Sequence, residues 1–221
     1  MPIVEQKITA PSQEQAQVQE KKDVSASDVV KGFEGRAEAL HRALIETEEL
    51  AKSDPEKAAG QQKDLEAQIA GFWLNVRIAQ ASRVRLGDTP QETSKNAEEM
   101  NQLAEKLGSQ PVDAYVYFLE KILRAFQETV AAIEEKFLKK ESTLADATRD
   151  REDLSERLND FIERKIFLVK EMLESRDVKK MPKEEKEILR ARVQQVENKA
   201  LSMCRASDVL LEAPQEKAEK K

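Results

Sequence analysis

An all-α, elongated fold of five helices, one of them very long, is expected from three features of the sequence. Ala, Glu, Lys, Leu, Arg and Gln dominate, residues that lose little entropy in a helix and offer its backbone no competing hydrogen bonds. Only 6 Gly and 7 Pro interrupt the 221 residues. Apolar residues recur in steps of three and four, the spacing of one helix face. The charged share of 36%, against roughly 25% in ordinary globular chains, suits long helices with narrow apolar seams. The expected shape is a bundle over 27–138 that extends into an antiparallel coiled-coil arm over 139–212.

Residues 1–26 contain few apolar residues and no sustained period, so a disordered arm is expected there, with a disordered tail at 213–221. Ser27 reads as the N-cap of the first helix, with Asp28 near its positive end. Val30, Phe33, Ala37, Leu40 and Leu44 carry its apolar face. Asp54-Pro55 ends that helix and starts the second, Asp as cap and Pro in the first helical position. The second helix steps through Leu65, Ile69, Phe72, Val76 and Ala79 to about Leu86, where Gly87 stops it. Thr89-Pro90-Gln91-Glu92 is a capping box and predicts a short helix over 90–107.

Between Val112 and Met181 there is neither Gly nor Pro. The steps Leu119, Ile122, Phe126, Val130, Ile133 and Phe137 resume at Leu154, Leu158, Phe161, Leu168 and Met172. The stretch between holds weak helix formers such as Ser142, Thr143 and Asp146, yet lacks the usual turn residues. One continuous helix over 112–176, about 98 Å long, is therefore expected, and with it a spacer-like role. A last helix over 182–212 follows Pro182.

Composition also excludes functions. Net charge is −6, and 139–200 balances 16 basic against 15 acidic residues. Binding to nucleic acid through counterion release is not expected. A single cysteine, Cys204, rules out an internal disulfide, and a single histidine, His41, rules out a histidine cluster. Neither has neighbours that mark a reactive site, so Cys204 reads as a small buried apolar group and His41 as a boundary residue. The acidic pairs Glu134–Glu135, Glu152–Asp153 and Glu184–Glu185 read as solvated faces rather than converging catalytic carboxylates. No phosphate loop, nucleophile elbow or zinc-protease helix is present. No cofactor, metal or enzymatic activity is expected. Without an apolar leader or a run long enough to span a bilayer, a cytoplasmic location is expected. A secretion route using an uncleaved polar N-terminus leaves no hydrophobic trace and is compatible with the sequence.

The expected function is that of a scaffold, adaptor or secretion-associated accessory acting through protein–protein contacts. A membrane-surface dimer of the BAR type and a chaperone for a secreted client are the rival readings. Candidate partner contacts are Trp73 with the basic residues Arg77, Arg83 and Arg85 at the end of the second helix. The seam residues Leu154, Leu158 and Phe161 join them, because few helices of the chain are left to cover them. That seam is the ground for expecting a homodimer.

Overall fold

Asp54 caps the second helix as its chemistry requires: its carboxylate accepts from the Lys57 N–H at 3.1 Å. In the computed structural model, which describes residues 26–81, 86–87, 89–175 and 181–212, every regular element is helical. Helix α1 is Ala26–Ser53 and α2 is Pro55–Ala81. Ser27 falls inside α1 rather than at its cap, because the helix begins one residue earlier. The rest of the expected arm, and the tail 213–221, lie outside the described residues.

Helix α3, Pro90–Lys106, opens on the expected box: Thr89 and Glu92 cap each other's backbone N–H, with Pro in the first turn. Gly108 closes it in the left-handed region, at φ 78°, which a residue without Cβ adopts freely. Gln80 of α2 donates to the Ala97 carbonyl and to Asn101, pinning α3 across α2.

Helix α4 is Val112–Leu138, and there the expectation of one long helix fails. Lys140 takes φ 59°. Its N–H donates to the Phe137 carbonyl at 3.0 Å, and the Glu141 N–H donates to Lys136 at 2.9 Å. That is the Schellman pairing, which satisfies the last carbonyls of a helix and ends it. Thr143 then caps a new helix in a reciprocal box with Asp146. The Thr143 hydroxyl, then its backbone N–H, hold the Asp146 carboxyl below its usual range. The chain turns back, and α4 and the next helix lie antiparallel. Phe126 and Phe161, about 52 Å apart in a straight helix, have ring centroids 5.6 Å apart. The rod is excluded, and the spacer-like role falls with it. Among the described residues there are six helices, not five. A lysine in the left-handed region costs roughly 1 kcal/mol relative to glycine. Lys140→Gly is thus expected to raise stability by about 1 kcal/mol in urea unfolding; a loss would contradict the turn.

Helix α5 spans 144–174. It is α-helical over Leu144–Asp160 and Phe167–Glu174, with a π-helical segment, Phe161–Ile166, between. Its buried series reads Leu154, Leu158, Phe161, Ile166, Val169, Leu173. The step of five from Phe161 to Ile166 is the π repeat. It moves the seam off Leu168 and Met172, which end up half-buried at the core's edge. Helix α6, Lys183–Glu212, runs antiparallel to α5, with Arg190 bonded to Glu174 and Lys170 to Glu197.

Two cores form on opposite sides of α2. Leu65, Ile69, Phe72 and Val76 pack with α1, α3 and Leu86, while Ala70 and Leu74 join the core of α4, α5 and α6. A helix buried on opposite faces needs apolar residues nearly all round, and α2 has them. Asp64 anchors it to α4, accepting from Lys121 at 2.9 Å and Tyr117 at 3.2 Å. The Lys121 bond, helped by that of Tyr117, outweighs a small burial penalty and keeps the Asp64 carboxyl below its ordinary range. Because α4 shares the core of α5 and α6, a boundary at residue 138 would cut through packed side chains.

Candidate partner-binding site

The tip where α4 turns into α5 exposes the largest apolar side chains that lie side by side. Leu138 is 78% exposed, Leu144 70% and Phe137 43%. With Ile133 and Ala147 they border an open groove of about 280 Å³. An ion pair closes one wall, Arg151 donating to Glu134 at 3.0 Å. Both helices end at this turn, so no further turn of either shields the groove.

Position in the bundle sets the groove beside α6. Arg192 of α6 makes two 2.8 Å hydrogen bonds to Glu120 of α4. The two helices are parallel and 72 residues apart in register. Cys204, the last buried residue described in α6, is thus level with Ala132, and the groove begins at Ile133. Leu138 lies about five turns beyond Glu120, on the same face. On α5, Thr148 lies about three turns before Asn159, whose side chain accepts from the Cys204 thiol at 3.6 Å. On this register the last turns of α6, up to Glu212, are level with the groove, which therefore borders the track of α6.

A second concavity lies at the other end of α4. It is a cleft of about 590 Å³ between α2, the α3–α4 connection and the end of α5. Trp73 and Arg77 line it, as does Tyr115. The Trp73 indole N–H donates to the Gly108 carbonyl at 3.0 Å, fixing the ring at the rim. Burial pushes the Tyr115 hydroxyl's pKa up, against an opposing pull from the Arg77 charge.

The chain matches no family model, no curated protein and no solved structure.

Of the residues expected to meet partners, Trp73 and Arg77 come together in this cleft. Arg83 and Arg85 lie outside the described residues. Leu154, Leu158 and Phe161 are at most 1% exposed. They are core residues of this chain, covered by α4 and α6, which removes the ground for self-association through that seam. Phe137, Leu138 and Leu144 were missed as contacts because they read as the interior of a continuous helix. His41 is exposed beside the α1–α3 groove, and Cys204 is buried. The six carboxylates of the acidic pairs are all exposed. No described helix is long and apolar enough to cross a membrane.

Proposed function

We propose that this chain is a non-enzymatic helical adaptor that holds another protein at the α4–α5 tip, and that the occupant is an amphipathic helix of that partner. The observation that carries the reading is the apolar tip, where Leu138 and Leu144 are both at least 70% exposed. Exposing adjacent leucines is unfavourable for a chain with no use for them, and such patches mark interaction sites. The helix is favoured over an extended segment because both walls of the groove are helices, α4 and α5, whose apolar residues stand at helical spacing. In this reading the partner helix packs on the apolar ends of α4 and α5, with its own apolar residues at three- and four-residue spacing.

The double substitution L138E/L144E tests it. Both side chains are exposed, so stability should change by no more than about 0.5 kcal/mol per site. Wild-type and variant baits of equal thermal stability are compared in parallel on extract from the native cell. The wild type is expected to retain at least one stoichiometric protein that the variant loses. Identical retention by both baits would overturn the tip as the partner site.

A further inference from the structure

We propose that the Trp73–Arg77–Tyr115 cleft is a second binding site, for a partner peptide placing a carboxylate on Arg77 and Tyr115 and a cation on Glu171. The inference does not rest on the tip. Tyr115 is 4% exposed and lines the cleft, and its hydroxyl, which solvent still reaches, has no hydrogen-bond partner among the described residues. A hydroxyl held open to solvent on an otherwise buried ring is a fixed donor for a ligand that enters the cleft. Arg77 is exposed on α2 and near enough to Tyr115 to act on its charge. Glu171, on α5, is exposed and lines the same cleft. Neither forms an ion pair with a described residue, although both line the same cleft.

A cleft lined by a cation and an anion that form no ion pair with described residues complements a ligand that carries both charges. Arg77 offers a planar fork suited to a carboxylate, and the Tyr115 hydroxyl adds a second donor. Between the charged walls, Trp73, Leu168 and Met172 provide an apolar floor. Methionine and tryptophan adapt well to an aliphatic side chain. The fitting segment therefore reads acidic, apolar, basic. A simple anion would meet repulsion from Glu171, and a simple cation from Arg77.

The test uses the full chain labelled with ¹⁵N. Its single tryptophan gives one indole N–H signal, that of Trp73 at the rim. The probes are two capped pentapeptides, Glu-Ala-Leu-Ala-Lys and its neutral counterpart Gln-Ala-Leu-Ala-Gln. The charged peptide is expected to move the indole signal saturably, the neutral one only at about tenfold higher concentration. Arg77→Glu should weaken the charged peptide about tenfold or more, and Tyr115→Phe about threefold to tenfold. Both variants should keep the backbone spectrum of the wild type. L138E/L144E should leave the titration unchanged, which separates this site from the adaptor reading. Equal response to both peptides, no response to either, or indifference to Arg77→Glu would each overturn the proposal.

Discussion

Phe161→Ala is expected to lower stability by about 3–5 kcal/mol, the cost of removing a fully buried aromatic ring. Phe161 is 1% exposed and meets Phe126 at a 57° tilt, so the variant loses both apolar area and an aromatic pair. The Arg157 guanidinium lies over the Phe126 ring, 5.7 Å from its centroid. Phe161 also opens the π segment, where the wider turn restricts how neighbours can collapse into the space. A companion pair tests the phase of the seam. Ile166→Ala, at a fully buried site, should cost about 2–5 kcal/mol. Leu168→Ala, at a half-buried one, should cost clearly less. Urea unfolding midpoints give the order. Equal losses at 166 and 168 would mean that the seam keeps its three–four phase and that the π segment does not form.

How far the fold was legible depends on which signals compete. Pro55 and the Thr89–Glu92 box act locally, through caps whose energy does not depend on distant packing. Both ends came out where the residues place them. The α4–α5 turn was harder because it uses lysine where a helix end usually uses glycine. A left-handed lysine carries no sequence signature, since its cost is met by packing two apolar helix faces together. One local signal was present: Thr143-Leu144-Ala145-Asp146 is a capping box of the aspartate kind. The persistence of three–four spacing through Leu144 and Ala147 obscured it, because a hairpin of two amphipathic helices can keep the same register by coincidence.

The candidate site was legible to a smaller degree. Trp73 and Arg77 could be singled out, since an aromatic followed one turn later by an arginine is unusual on a helix otherwise so apolar. Tyr115 and Glu171 could not be joined to them. Their meeting depends on α5 folding back along α4, which the expected rod forbade. The same error hid the tip. In a straight helix Phe137 and Leu144 lie mid-seam, whereas in the hairpin they flank the turn and face solvent.

Gly71→Leu is expected to destabilise the chain by about 3 kcal/mol, at the upper end for overpacking, and Gly71→Ala by about 1. Gly71 is buried where α2 crosses α4, and a Cβ there would sit 2.3 Å from two ring carbons of Phe118. No real contact is that short, so either the ring turns or the helices part. Phe118 is half-buried and can swing outward, which keeps the alanine variant mild. Leucine would fill the space into which the ring must turn, and the strain would pass to the α2–α4 contact that links the two cores. Two effects of opposite sign meet in Gly71→Ala: alanine favours the helix by about 1 kcal/mol, while overpacking costs about 1–3. The balance can be separated experimentally. In a Phe118→Ala background the clash is gone and only the helix preference remains, so Gly71→Ala should there stabilise by about 1 kcal/mol. That reversal of sign, read from unfolding midpoints in a double-mutant cycle, is specific to a close approach at this residue. If Gly71→Ala changes stability equally in both backgrounds, Phe118 does not rest on Gly71 and the α2–α4 crossing is set elsewhere.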